Sequence, residues 1–594
     1  MFQRSTIEGT FRSSLIVLLL TELMSTIGPL VDGVVIAAFL GKRGIAEFGI
    51  INPLLITYSA LGAVFSTGAL TFCTRLIGKG QTDKARNVFS IGFIWIVFFS
   101  AGLTAILLCL SNPIVQLLGV SPASEAFFRE SRGYFIGITV SVPAINLILY
   151  LTSFMHVDND RQRALIATVV LTVTDIAGDL LSATVYHGGM LGMGLATSVA
   201  NYAALCVLLL HFRKKDALMK PKFRHLPWKL TGTILLDGSV SFVTFTGYSF
   251  MFILMNRILI HYSGEGIMLI AFTVQRQVLS FLYALCRAMG RSTTSLAGFF
   301  YGERNTKDLE DLLRLGLKYT LLFAGGITAL VIVFSNTIAT LFVGSTLQAI
   351  PPAAKAIRII ASSLLFVTAN SFYEAFFRGG GRVMLSLFLG ASRDFLLAII
   401  LVIGLNPFIR EQAVFWSYTL AQVLLVGACV LAIGIRCLRK DRSFAEMALF
   451  LPDSFHIPPD RCLYRSVSDI SQSVGTSRAI EALCLRCGAN PRKAMYAALC
   501  VEEMCNNIIE HGFAERKRGM ISVAVLVDPQ TRITVSIRDD CKPFSPLEWE
   551  AIHHDDDPAS NIGIRMTAAL ADEMRYVNIM NLNNLYVTYQ GHAA

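Results

Sequence analysis

Apolar residues run through most of this chain in stretches of about 20, the length that crosses a hydrocarbon layer as a helix. Twelve such stretches are predicted, near 13–38, 49–73, 88–110, 132–155, 164–186, 190–212, 233–261, 267–290, 313–342, 356–377, 384–405 and 412–435. Short charged loops separate them. After about Asp453 the apolar runs stop and a shorter-period pattern begins. Segments 477–488 and 491–511 have helical spacing, while GMISVAVLV and RITVSIRD alternate like strands around the turn DPQT. MRYVNIM and LYVTYQ are expected to pair around a turn at Asn583-Asn584. The predicted fold class is therefore a polytopic α-helical membrane protein followed by a cytosolic two-layer α+β sandwich of about 140 residues, an ordinary domain size.

Composition sharpens this. Only 15% of the 594 residues are charged and 54% are hydrophobic, against roughly 25% charged in soluble globular proteins. An ordinary cytosolic enzyme is excluded, and membrane lipid is the expected environment. The net charge is +10, yet 453–594 carries 14 Lys and Arg against 18 Asp and Glu, a net of −4. The remaining +14 thus belongs to the membrane part, where it sets topology and does not imply nucleic acid. Lysines and arginines concentrate in alternate loops, including Arg75, Lys79, Arg213, Lys214, Lys220 and Arg304, and this places both termini in the cytoplasm. The first apolar segment has no small-residue cleavage site, so it reads as a first transmembrane helix and not a signal peptide. The 12 cysteines are scattered and suggest neither a disulfide framework nor, at the Cys484-x-x-Cys487 spacing, a zinc site.

The chain also resembles itself. GKGQTDKARNVFSIG from Gly78 lies on GERNTKDLEDLLRLG from Gly302, and the same offset puts Asp32 on Asn256. Asp158-Asn-Asp-Arg161 faces Gly379-Gly-Gly-Arg382, and Asp179 faces Asp394. Two six-helix repeats in parallel register are predicted, with a cavity between them. The expected layout is a transporter half over 1–440, with lobes at about 12–212 and 233–438, a linker over 441–457, and the soluble domain over 458–594.

Ionisable residues inside apolar helices are costly and mark function by default. Glu22 and Asp32 lie in the first segment, and Asp175 and Asp179 in the fifth, one helical turn apart, and all four are candidates for a transport cation site. Arg276, Arg287, Arg393 and Asp394 are expected to form inter-helix or snorkelling pairs.

GPLVDGVVIAAFLGKRGIAEFG, GKGQTDKARNVFSIG and GMLGMGLATSVAN resemble the multidrug and toxic compound extrusion (MATE) transporters over roughly 12–438. The resemblance implies a bacterial inner-membrane protein that exports small organic compounds by alternating access, driven by proton or sodium ion. It implies a cation site at Asp32, Asp175, Asp179 and Thr197, with Asp175 standing where relatives carry Asn. A second-lobe site would need an acidic residue where this chain has Asn256 and Arg257.

In the soluble part, CVEEMCNNIIEHGF places Glu503 and Asn507 at i, i+4, with His511 one turn on. A carboxylate and an amide at this spacing can orient a water and complete a magnesium shell of phosphates and waters. The turn ASNIGI opens a helix, a usual way to receive phosphates. The ordered set ExxxN-xxxHG, strand-Asp-x-x-x-P-F and N-I-G-I resembles the GHKL, or histidine-kinase-like, ATP-binding fold of the anti-sigma-factor serine kinase branch. The resemblance implies ATP and magnesium as cofactors, Glu503 as general base, Asn507 as magnesium ligand, Asp539 as the adenine-reading carboxylate, and Gly563 with Asn561 in the phosphate loop. It also implies a cytosolic antagonist protein as phosphate acceptor. Cys541 and Asn561 replace family glycines, and HHDDDP at 553–558 stands where an ATP lid would be. The alternative to an exporter with a nucleotide-binding regulatory domain is a membrane-anchored signalling kinase whose transporter half acts as a sensor. ATP-powered export is disfavoured, because no GxxxxGK[ST] loop is present.

Overall fold

The computed structural model describes residues 6–590 except 119, 121, 123, 215–216, 264–266, 344–346, 441–446, 452–454, 456–457, 514–518 and 553–561. Eleven helices among the described residues are long and apolar enough to cross a membrane. The predicted segments 13–38 and 49–73 lie in the helical stretch Thr6–Gly78 as two helices that meet at a kink at Gly41 (φ 66°). A left-handed residue there interrupts the helical path, and glycine takes that conformation without a Cβ penalty. The segment 132–155 is longer than its apolar core and splits into Glu125–Thr139 and Val142–Val157, with Pro143 in the first turn of the second helix, where its missing N–H costs nothing.

The helix Ile267–Gly302 lies between Ile350–Gly379 and Thr6–Gly78, so it joins the two halves of the membrane body. The halves also meet closely at the end facing the soluble domain. A Cβ on Gly302 would stand 2.7 Å from the Cα of Gly78, and one on Gly78 would stand 2.1 Å from the carbonyl oxygen of Phe299. Only glycine permits that approach. Nearby, Arg75 pairs with Asp237, and Glu22 receives Arg287 at 2.6 Å and Arg291 at 3.0 Å.

The soluble domain is built on an antiparallel sheet ordered β1-β2-β3-β5-β4. Its strands are β1 (Cys462–Val467), β2 (Ile521–Val527), β3 (Ile533–Asp539), β4 (Glu573–Ile579) and β5 (Leu582–Tyr589). Helices Ile470–Arg486 and Pro491–Asn507 cover one face, sealing a core that includes Val523, Val525, Val535, Ile537, Val587 and Val501. The first helix starts seven residues earlier than the apolar spacing predicts. Asp469 caps it, its carboxylate accepting from the Gln472 N–H at 2.9 Å.

The last hairpin turns elsewhere than expected. Met580 (φ 54°) and Asn581 (φ 58°) form its two-residue turn, both left-handed as a type I′ turn requires. Asn583 and Asn584 instead lie inside β5, nearly inaccessible at 5% and 0%. Their amides are retained in a strand because each has a buried partner on β3: Asn583 donates to Asp539 at 2.7 Å, and Asn584 accepts from Arg538 at 2.7 Å.

The second face of the sheet rests on the membrane body. Arg538 is 2% exposed, reaches Glu303 at 2.5 Å and pairs with Asp308, and its guanidinium lies over the rings of Phe299 and Phe300. Tyr586 donates to Glu303.

Candidate functional sites

Two sites take shape, one in each part. In the membrane body, Asp32 of the first long helix and Asp175 and Asp179 of helix Arg161–Leu181 are all buried. One turn of helix puts Asp175 and Asp179 on the same face, and Asp32 lies near enough for its charge and theirs to act on one another. No donor reaches either carboxyl oxygen of Asp179, nor one oxygen each of Asp32 and Asp175, among the described residues. The Thr197 hydroxyl, from helix Gly189–Leu209, lies within reach of Asp175. Buried carboxylates this close cannot all stay ionised unless a cation or a proton sits among them.

Glu22 does not join this cluster. It stands ten residues before Asp32, about 15 Å along the helix, and is held by Arg287 and Arg291 of helix Ile267–Gly302. Opposite charge across the contact between the two halves takes it out of the cation-site set and makes it a strut. Arg393 is occupied as expected: its Nε bonds Asp394 at 2.7 Å and its guanidinium approaches Glu374 and Ser371. Arg276 lies over the Phe252 ring.

In the soluble domain, Glu503 and Asn507 lie one turn apart on helix Pro491–Asn507. The Glu503 carboxylate abuts the first turn of helix Ile562–Leu570 so closely that a Cβ on Gly563 would meet Oε2 at 2.1 Å. Glycine at 563 thus lets a carboxylate and a helix N-terminus share one corner. Asp539 ends β3 on the helix-covered face. Its Oδ1 accepts from the Cys541 N–H at 2.8 Å and from Asn583. Burial pushes the Asp539 carboxyl above the ordinary range, against these hydrogen bonds, which favour the ionised form. Asn561 and the acidic loop 553–558 lie outside the described residues.

The structure therefore brings Glu503 to Gly563 and Asp539 to Asn583. Asn583 carries no motif and read as a turn residue. Its signal was the L-N-N-L-Y-V-T-Y run, in which the strand period passes through both asparagines.

Comparison with known proteins decides the lineage. The MatE family matches twice, over 18–181 and 241–403, and a histidine kinase-like ATPase domain matches 468–588. The chain belongs to the MatE family. The MatE half is 21% identical over 339 residues to a probable multidrug resistance protein, YoeA, of Bacillus subtilis, covering 55% of this chain and 72% of YoeA. It is 21% identical over 429 residues to the multidrug export protein MepA of Staphylococcus aureus, covering 70% of this chain and 91% of MepA. Among solved structures, an outward-facing multidrug resistance MATE family transporter of the MOP superfamily aligns with a TM-score of 0.67 at 20% identity. That alignment covers 74% of this chain and 98% of the other. A MOP superfamily transporter from Pyrococcus furiosus Vc1 aligns at 0.66 and 21% identity, covering 74% and 98%. These likenesses establish the MatE fold for the membrane body; the ATPase domain follows it in the same chain.

Proposed function

We propose that the MatE half exports small organic compounds by cation-coupled alternating access, and that the C-terminal domain binds ATP with magnesium to regulate it or to phosphorylate a protein. The observation that carries the transport reading is the donor-poor carboxyl cluster of Asp32, Asp175 and Asp179 beside Thr197. A proton or sodium ion entering it relieves the repulsion, and a charge taken up from one side and released to the other is what couples a gradient to export. The additional carboxylate at Asp175 makes the cluster suited to holding a proton as well as a sodium ion.

The lobes are two six-helix repeats, giving twelve membrane helices. The paired family matches support this, as does the meeting of Gly78 with Gly302, the two residues that open the repeated loop. Residues equivalent by a twofold axis touch each other only near that axis. Close approach there, with the Glu22 strut, supports a transporter closed on its cytosolic side, and the membrane on this reading is a bacterial inner membrane.

In the ATPase domain the residues fit the nucleotide. Asp539 supplies a buried acceptor for a purine amino group, Asn507 a neutral magnesium ligand, and the corner of Glu503 and Gly563 a place where an attacking group meets the phosphate loop. Bound magnesium would neutralise phosphate charge. Glu503 would hold the proton of the attacking hydroxyl, and Asn507 would orient the phosphates. The acceptor on this reading is a serine of a cytosolic antagonist protein.

Gradient-driven efflux of a fluorescent cation in everted vesicles tests the reading. Flux should be abolished by Asp32→Asn and survive Glu503→Ala. Absence of any gradient-driven flux in the wild-type protein across a broad substrate panel would overturn export in favour of a sensor.

A further inference from the structure

The β4–β5 hairpin inserts into the membrane body. Val577, Ile579 and Met580 are 7%, 1% and 4% exposed and join the hydrophobic core of the transporter half, not that of their own domain. At the tip, Met580 forms one wall of a small crevice whose other walls include Leu18, Leu70 and His156 on one side and Ser295 and Leu296 of helix Ile267–Gly302 on the other. That crevice lies between the two lobes. A methionine held at φ 54° is in a sparsely populated conformation for a residue with a Cβ, which structures retain when the surroundings over-determine it. Its N–H donates to the Val157 carbonyl oxygen at 3.2 Å.

A line of amides runs from this contact to the nucleotide-reading carboxylate. Asp539 accepts from Asn583 Nδ2 at 2.7 Å, and Asn583 Oδ1 accepts from Asn578 Nδ2 at 2.6 Å. Asn159 Nδ2 donates both to Asn578 Oδ1 and, at 3.0 Å, to the Asn578 carbonyl oxygen, while Asn159 Oδ1 accepts from the Asn581 N–H. Asn159 sits in the loop after helix Val142–Val157, between Asp158 and Asp160, which hold both nitrogens of His211 at 2.8 and 2.7 Å. Each amide here gives with its nitrogen and receives with its oxygen, so a change at one end alters every partner along the line.

The geometry points to a nucleotide-operated gate: the hairpin is a wedge that keeps the cytosolic side of the transporter closed, and a purine nucleotide at Asp539 releases it through Asn583, Asn578 and Asn159. This rests on the nucleotide site proposed above. The Cys541 N–H and Asn583 Nδ2 both donate to Asp539 Oδ1; a purine amino group donating to the same carboxylate draws on the charge that holds them and so weakens its hold on Asn583. The hairpin then loses its anchor toward the domain and the loop at Asn159 loses its partner. Opening of the lobes at this end requires Met580 to give up its contacts with one of them. Linkage makes the effect reciprocal, so a freed hairpin tightens nucleotide binding by the same factor.

Hydrogen–deuterium exchange of the full-length protein in nanodiscs, with and without saturating Mg-ATP, tests the gate. Mg-ATP is expected to raise exchange about fivefold or more at 157–161 and 577–581, a coupling of ordinary size. Asn159→Gly keeps the left-handed conformation seen at this residue (φ 56°) while deleting the amide. In that variant the two segments should exchange at the nucleotide-bound rate from the start, Mg-ATP should add nothing, and ATP should bind about fivefold or more tighter. Asn578→Ala should behave in the same way. Wild-type protein that binds ATP without any change at 157–161 and 577–581 would overturn the gate alone, as would variants that respond like wild type. Wild-type protein that binds no ATP would overturn the gate and the nucleotide site together.

Discussion

Arg538 and Asp539 are consecutive on β3 and face opposite ways, Arg538 into the membrane body and Asp539 toward the covering helices. Their cross-strand partners are also consecutive, Asn584 and Asn583 of β5. Two adjacent rungs of one ladder thus hold the docking contact and the carboxylate proposed above to read adenine. Because strand side chains alternate in direction, a one-residue slip of β5 would exchange these two tasks, and the buried amides fix the register against it.

Replacing Arg538 with Met should unseat the domain. The substitution leaves Glu303 and Asp308 as buried carboxylates without their cation, a loss of about 3–5 kcal/mol for breaking a buried pair. Urea unfolding of the full-length protein, followed by hydrogen exchange in β3 and β5, measures it. Wild-type stability in the variant would show that the ion pair contributes nothing to docking.

Asp539→Asn should separate binding from stability. The raised Asp539 pKa means that this carboxyl favours folding at low pH and that its contribution is lost as pH rises through the shifted value. At neutral pH the Asn variant should therefore melt no lower than wild type, while its ATP affinity falls tenfold or more. Wild-type affinity should itself fall on acidification, at a higher pH than an ordinary carboxylate would set. Calorimetry with Mg-ATP from pH 5 to 8, alongside thermal unfolding, checks both, and a flat affinity profile would contradict the assignment.

Asp179→Asn should cost at least a hundredfold in gradient-driven flux while leaving the protein folded. Both Asp179 oxygens are buried without a donor, so the amide removes repulsion and stabilises the site as it removes the cation seat. Thermal unfolding in detergent should show a melting temperature equal to or above that of wild type. A variant that still transports would transfer the coupling role to Asp32 and Asp175.

Gly78→Val should stop transport by preventing closure. The added Cβ would lie 2.1 Å from a main-chain oxygen, which cannot rotate away as a side chain could. Flux in proteoliposomes should fall at least tenfold with normal membrane insertion. Near-normal flux would mean that the lobes need not meet there.

Much of this was legible in the chain itself. Apolar runs of membrane length, the basic bias of alternate loops and the repeated GKGQTDKARNVFSIG loop all report short-range or periodic facts, and these survive without knowledge of the fold. The i, i+4 pairs Asp175/Asp179 and Glu503/Asn507 were readable for the same reason, since one helical turn fixes their common face. Glu22 could not be placed this way. Its neighbours Arg287 and Arg291 are more than 260 positions distant, and only the meeting of the two lobes makes it a strut. Asn583 and Asn584 were read as a turn because paired asparagines favour one locally; the buried Asp539 and Arg538 overrode that preference and moved the turn to Met580-Asn581. The sequence by itself determined the two parts, most of their elements and the shared helical faces of Asp175 with Asp179 and of Glu503 with Asn507, because helical and strand periodicity are local. The tertiary structure alone decided that the sheet would turn its second face and its last hairpin into the transporter, because burying Arg538 and Met580 requires partners from loops several hundred residues earlier.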